Sequence, residues 1–146
     1  LYLDDASGSM KTNDAALRIR EEIRAGNPET AGVIITYKGP HESSQFKKRR
    51  ENNLKVSSSH DAEELLAGLG YRRKMMIEKK RSLWRLDKCE VALDELPLIG
   101  RFVEIEGPDE ATVNLVQKKL GLGSLPHIPQ SYAALLEERQ HRQDVK

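Results

Sequence analysis

Arg101-Phe102-Val103-Glu104-Ile105-Glu106 is the stretch on which the fold turns. At the two-residue period of a strand, Val103 and Ile105 point to one face and Phe102, Glu104 and Glu106 to the other. Two carboxylates on one face, backed by an aliphatic face that favours burial, make a pair of hard-oxygen ligands for a cation if that face lines a cavity. Alone, the pattern is that of an ordinary strand with one solvated side.

Other segments repeat it with cations. In Ala16 to Arg24, Leu17, Ile19 and Ile23 alternate with Arg18, Arg20, Glu22 and Arg24. Gly32 to Lys38 is rich in β-branched residues and stops at Gly39-Pro40. Lys38 shares a face with Ile34 and Thr36, where a lysine needs a partner. Gln45 to Ser57 sets Arg49, Glu51 and Asn53 against Arg50, Asn52 and Leu54. Tyr71 to Leu86 reads as extended, with Met75, Ile77, Lys79, Arg81 and Leu83 on one face. A bulge there would exchange Lys79 for Lys80. Met75, Met76 and Trp84 read as packing residues. Lys88 to Leu96 sets Val91 and Leu93 against Glu90, Ala92 and Asp94.

Leu1 to Leu3 suits the end of a strand, and Asp4 to Asp14 reads as a loop. A helix is expected over Ser59 to Leu69, capped by Ser59 or Asp61, with Ala62, Leu65, Leu66 and Leu69 as its apolar stripe. A second starts at Gly107-Pro108-Asp109-Glu110 and runs to about Leu120. Ser131 caps a third, running to about Arg142, with Tyr132, Leu135 and Leu136 on its apolar side.

At 146 residues the chain has the length of one domain with a real core. Its 24 Lys and Arg almost cancel 23 Asp and Glu, for a net charge of +1, which disfavours general nucleic-acid binding. The four-cation run Lys47 to Arg50 has no aromatics interleaved to stack on bases. Cys89 is the only cysteine, so no internal disulfide can form; a reducing cytoplasm fits best, and Cys89 reads as a small packed residue. No apolar run reaches membrane-spanning length and no signal-peptide pattern is present. The start at Leu1, without Met, hints at an upstream segment. His41, His60, His127 and His141 lack zinc-ligand spacing.

Five or six strands, each with an aliphatic and a charged side, fit a sandwich with solvated outer faces. They also fit a barrel with helices outside and charges lining the lumen. In a lumen, Arg18, Arg20, Lys38, Lys79 and Arg81 would require a polyanion. Glu104, Glu106 and Asp94 would oppose that anion unless divalent metal ions sat between.

Leu17-Arg18-Ile19-Arg20, Thr36-Tyr37-Lys38-Gly39-Pro40, Glu78-Lys79-Lys80-Arg81, Leu93-Asp94-Glu95 and Gly100 to Glu106 together resemble the CYTH family. These are the triphosphate tunnel metalloenzymes, which include class IV adenylyl cyclases and thiamine triphosphatases. The resemblance runs from about Tyr2 to about Leu136, and Ser131-Tyr132-x-x-Leu135-Leu136 looks like the end of the class IV cyclase-like branch. It implies an α+β fold: one CYTH-like domain over residues 1–146, an antiparallel β-barrel with helices packed outside, which in the family is a closed tunnel of eight strands and here is expected to be incomplete at the N-terminus, lacking its first strand. It further implies that Arg18, Arg20, Lys38, Lys79 and Arg81, joined by Arg49, grip phosphate oxygens, with Arg18, Arg20, Lys79 and Arg81 serving the reaction. Glu104 and Glu106 would bind Mg²⁺ or Mn²⁺, and Asp94 would hold metal or a neighbouring basic side chain.

The implied substrate is a nucleoside triphosphate, converted from ATP to cyclic AMP and pyrophosphate, or alternatively inorganic or thiamine triphosphate, which would be hydrolysed. A non-catalytic polyphosphate or nucleotide binder is a further reading. No nucleic-acid or membrane partner is expected, and homodimerisation stays open. Two departures stand out. The family's N-terminal Glu-x-Glu-x-Lys strand has no counterpart in this sequence, and Asn53 stands where an acidic residue is common.

Overall fold

A computed structural model describes residues 1–24, 30–41 and 49–144. Ala25 to Thr30, with Gly26, Asn27 and Pro28, reads as a hairpin loop, and all of it but Thr30 lies outside the described residues, as does the Lys47-Lys48 half of the cation run. The chain is α+β and forms two compact units, Leu1–Ile77 and Glu78–Lys146. Each is described by itself.

The first unit runs β1 (Tyr2–Asp4), α1 (Ser9–Thr12), β2 (Ala16–Ile23), β3 (Thr30–His41), β4 (Arg49–Val56), α2 (Ser59–Gly68) and β5 (Arg72–Met75). Its strands form an antiparallel sheet in the order β4-β3-β2-β1-β5. The alternation in β2 fixes the faces: Leu17 and Ile19 join Leu3 and Val33 in a core that Ala62 and Leu66 of α2 cover. Ile19 is 2% exposed, and burying a side chain of that size stabilises by roughly 1.5–3 kcal/mol.

Three expectations for this unit need correction. A register shift after Glu22 turns Ile23 away from the core, leaving it 67% exposed. The polar segment after Asp4 holds the short helix α1, because the buried Asp4 carboxylate accepts from the backbone N–H groups of Met10 (2.9 Å) and Lys11 (3.2 Å). The cap of α2 is Ser58, whose hydroxyl accepts from the Asp61 N–H at 3.1 Å; Leu65 and Leu69 lie on its solvent side.

The second unit runs β6 (Lys80–Leu86), β7 (Cys89–Leu96), β8 (Gly100–Glu106), α3 (Glu110–Lys119) and α4 (Tyr132–Asp144). Its strands form an antiparallel sheet with β7 in the centre. Asp87 and Gly100 adopt positive φ where the chain reverses between strands. Asp109 caps α3 by accepting from the Thr112 N–H at 2.7 Å, so Pro108 precedes the cap instead of opening the helix. Val116, fully buried, and Val113 press α3 onto Cys89, Val91, Leu86 and Ile105. The expected packed role of Cys89 is met.

The extended run read over Tyr71 to Leu86 is interrupted between Met75 and Lys80. Trp84 and Leu93 are solvent-facing, where packing was expected, because α3 covers only part of the aliphatic face, and Met76, outside any strand, is exposed as well. All eight strands pair antiparallel, and α2 and α3 cover sheet faces as expected. Among the described residues the ladders form one five-stranded and one three-stranded sheet, whereas the resemblance implies one closed ring.

Gly107 occupies a position that admits no side chain: a Cβ there would lie 2.6 Å from Cys89 Sγ and 3.0 Å from Val113 Cγ2. Gly107→Ala should destabilise by about 1–3 kcal/mol in urea unfolding, and a second change, Cys89→Ala, should recover part of that loss. Strictly additive effects would show that the two positions do not crowd each other.

Candidate functional site

Directly paired residues of an antiparallel sheet share a face, so the registers assemble the polar side of each sheet. In the first unit Arg18 lies opposite Thr36, Arg20 opposite Ile34, and Thr36 and Lys38 opposite Asn53 and Glu51. Thr36, fully buried, donates its hydroxyl to Asn53 Oδ1 at 2.7 Å, and the Asn53 amide donates to Glu51 Oε1 at 3.2 Å. Lys38 Nζ reaches the other Glu51 oxygen at 3.1 Å, which supplies the partner that its position demanded. Burial works to raise the pKa of Glu51, but hydrogen bonds from Lys38 and Asn53 outweigh it and hold the group below its ordinary value.

Arg18 and Arg20 differ from this satisfied row. The Nε atom of each is buried and donates to no acceptor among the described residues. Arg20 Nε lies 3.1 Å from a Glu22 oxygen but without the alignment that a hydrogen bond needs. An unsatisfied buried donor costs roughly 1–3 kcal/mol, so this face is chemically incomplete without an acceptor, as a phosphate oxygen would be. Arg49, expected to join the phosphate-gripping cations, pairs with Asp14 at 2.6 Å and also donates to its backbone carbonyl.

In the second unit the charged face is organised around Asp94, fully buried in the middle of β7. Arg81, its ladder partner on β6, grips it through both Nε (2.6 Å) and Nη2 (2.5 Å). Lys79 Nζ donates to Asp94 Oδ2 at 2.9 Å, and so does the Tyr132 hydroxyl of α4, also at 2.9 Å. Lys79 therefore reaches the cluster, while Lys80 pairs in register with Glu95 on the opposite face. Arg81 Nη2 also donates to Glu104, which places one of the two expected β8 carboxylates beside the cations.

Burial alone would raise the Asp94 pKa, but the hydrogen bonds from Arg81, Lys79 and Tyr132 outweigh it and hold the carboxyl at about 2. The pKa of Arg81 is raised, chiefly by its hydrogen bonding to Asp94. That of Tyr132 is raised by burial first, then by the neighbouring Asp94 and Glu104, so it stays a neutral donor.

Glu106 shares the face of Glu104 and lies directly opposite Glu90 on β7, in an exposed position. Like charges set across a ladder disfavour each other without a cation between. Hard carboxylate oxygens with no thiolate or imidazole suit Mg²⁺ or Mn²⁺, and on that chemistry Glu104 and Glu106 fit such an ion. Asp94 fits less well, because both of its oxygens are engaged by donors. Asp94, Glu104 and Glu106 do not gather closely enough to form a ready three-ligand cluster; among the described residues only His60, Asp61 and Glu64, exposed on α2, do so. The expectation that no histidine has a nearby ligand thus needs correction at His60, which lies 3.5 Å from Glu64 one helical turn on.

Tyr132 is the site residue that sequence reasoning missed. It read as part of the apolar stripe of α4, and nothing local marks a contact made 38 residues away in sequence. The available signal was its place immediately after the capping Ser131, where a side chain leaves the helix at its end instead of along its packed stripe.

The chain is similar to several known proteins. The profile described as CYTH domain matches residues 1–132. A Methanocaldococcus jannaschii protein named "Putative adenylate cyclase MJ0240" is 28% identical over 106 residues, covering 73% of this chain and 57% of that protein. The match thus spans little more than half the length of that relative. The PH1819 protein of Pyrococcus horikoshii OT3 superposes with a TM-score of 0.77 at 27% identity, covering 94% of this chain and 81% of its own. A "putative adenylate cyclase" of Vibrio parahaemolyticus has the same fold, with a TM-score of 0.75 at 20% identity over 93% of this chain and 77% of its own. A profile match that extends across both units, on a chain whose sheets carry these cationic faces, leads to one conclusion: the chain belongs to the CYTH domain family.

Proposed function

We propose that this chain processes a triphosphate with the help of a divalent metal ion, as a single CYTH domain comprising both units, and that its reaction is the cyclisation of ATP to cyclic AMP and pyrophosphate. The observation that carries the reading is the Lys79–Asp94–Arg81 cluster beside Glu104: two cations held by a buried carboxylate on a face that also offers oxygen ligands. The name of the Methanocaldococcus jannaschii relative favours the cyclase over the hydrolase.

In this mechanism Arg81 and Lys79 bind phosphate oxygens. Asp94 consumes Arg81 Nε and Nη2 and one contact of Lys79, while Arg81 Nη1 has no partner among the described residues. That nitrogen and the remaining ammonium protons are available to an anion. In the first unit Arg18, Arg20 and Lys38 offer phosphate-binding donors of their own, the orphaned Nε atoms of the two arginines among them. Glu104 and Glu106 would hold Mg²⁺ or Mn²⁺, which would supply neutralisation of phosphate charge and a more acidic attacking hydroxyl. The 3′-hydroxyl of ATP gives its proton to solvent as its oxygen bonds the α-phosphorus, the bond from that phosphorus to the bridging oxygen breaks, and pyrophosphate departs against the fixed positive charge of Arg81 and Lys79. The chemistry is mainly positioning and charge neutralisation, so the same residues also suit hydrolysis of inorganic or thiamine triphosphate.

No helix among the described residues is long and apolar enough to cross a membrane, in keeping with a substrate drawn from aqueous solution.

Incubation with Mg²⁺ or Mn²⁺ and, in parallel, ATP, tripolyphosphate and thiamine triphosphate should yield cyclic AMP and pyrophosphate from ATP. Orthophosphate would identify a hydrolase, binding without turnover a non-catalytic receptor, and no binding at all would reject the triphosphate reading. Arg81→Ala should weaken tripolyphosphate binding by about 2 kcal/mol, some thirtyfold, in calorimetry. Glu104→Gln should shift the metal-activation curve to higher Mg²⁺ with less effect on anion binding; an unchanged curve would remove Glu104 from the metal site.

Asp94 also sets a pH dependence. Its folded-state pKa of about 2 lies below the ordinary 3.8, so the stability it contributes is complete above about pH 4 and is lost as pH falls through 2. Asp94→Asn should therefore lose about 2 kcal/mol at neutral pH, and the gap to the parent protein should close between pH 4 and pH 2 in urea titrations.

A further inference from the structure

The Tyr132 side chain meets three residues of the charged face at once. Its hydroxyl donates to Asp94 Oδ2 at 2.9 Å, Lys79 Nζ stands 5.1 Å from the centroid of its ring, and the ring packs on Phe102 at 5.2 Å with planes 59° apart. A tilted aromatic pair and a cation over a ring face are each favourable, and together they leave Tyr132 little rotational freedom. The residue is delivered from outside the sheet. Ser131 caps α4 by accepting from the Ala134 N–H at 3.3 Å, and Leu136, 6% exposed, anchors the helix one turn on. The segment leading in carries Pro126 and Pro129, which restrict the approach of the chain.

Asp94 Oδ2 accepts from Lys79, Arg81 and Tyr132 together. The phenol is the one neutral member of the three, and this decides its effect. It occupies acceptor capacity that Lys79 could otherwise use, without adding charge. The ring meanwhile confines the ammonium from a second side, so Lys79 is held to one contact with Asp94 and keeps donors for an incoming anion. Without the hydroxyl, Lys79 can settle further onto the carboxylate and its orientation is lost.

We infer that Tyr132 is a positioning residue for anion binding: through Asp94 and Lys79 it keeps the Lys79 ammonium presented to the terminal phosphates of a triphosphate, which makes docking of the C-terminal helix a condition for tight binding. The inference rests on the triphosphate reading above, and it extends the site to an element that the strand pattern does not include.

Tyr132→Phe tests it while keeping the ring. Tripolyphosphate affinity in the presence of Mg²⁺ should fall about tenfold in calorimetry, the scale of one hydrogen bond to a charged group, with the thermal midpoint nearly unchanged. Tyr132→Ala, which also removes the ring from Lys79 and Phe102, should fall further. Lys79 acylation by an amine-reactive ester, followed by peptide mass spectrometry without ligand, should slow severalfold in Tyr132→Phe, because the ammonium then sits further onto the Asp94 carboxylate. A purely structural role would lower the thermal midpoint and leave affinity and labelling in Tyr132→Phe at parent values, which would overturn the inference. If the parent protein binds no tripolyphosphate, the triphosphate reading fails on its own. Lys79 labelling then decides the positioning role alone: slower labelling in Tyr132→Phe upholds the hold of Tyr132 on Lys79, and unchanged or faster labelling removes it.

Discussion

A carboxylate with no solvent exposure, at the centre of a three-stranded sheet, is the constraint that shapes the second unit. Taking a lone carboxylate out of water costs several kcal/mol, and only close donors make it tolerable. Asp94 has four such contacts from three residues: two from Arg81, one from Lys79 and one from Tyr132. Each comes from a different structural source: strand β6, the segment that leads into it, and the start of α4. Electrostatic satisfaction of one side chain therefore ties together elements that the hydrophobic core leaves separate, since that core joins α3 to the opposite face of the same strands.

The first unit treats its cations differently. Lys38 belongs to a polar row that runs through Glu51 and Asn53 to the fully buried Thr36, and the row is internally satisfied. Arg18 and Arg20 carry buried Nε donors that have no acceptor among the described residues. Lys38 is thus anchored within the protein, whereas the two arginines keep buried donors without an acceptor among the described residues.

The faces were legible in the sequence because side-chain direction in a strand has a strict period of two. Leu17 and Ile19 against Arg18 and Arg20, and Val103 and Ile105 against Phe102, Glu104 and Glu106, follow from spacing alone. The choice of Lys79 over Lys80 did not, because the break after Met75 resets the register and only the Asp94 contact resolves it. Helix α1 was hidden because its stabilising contact is a carboxylate that precedes it, in a segment whose composition is that of a loop. The exposure of Trp84 depends on how far α3 extends across the sheet, which no local pattern encodes. Tyr132 was hidden for a like reason: its partner lies on a strand far back in the chain.

The single thiol of the chain follows from the same architecture. Cys89, 2% exposed, is enclosed by Val116 and Val113 of α3 and by the backbone at Gly107, against which no additional atom fits. A reagent can reach it only when the helix peels from the strand, so the rate of its modification measures the opening free energy of that seam. The molecule carries its own reporter of local breathing, on the side of the sheet opposite Asp94 and Glu104, where ligands need not interfere.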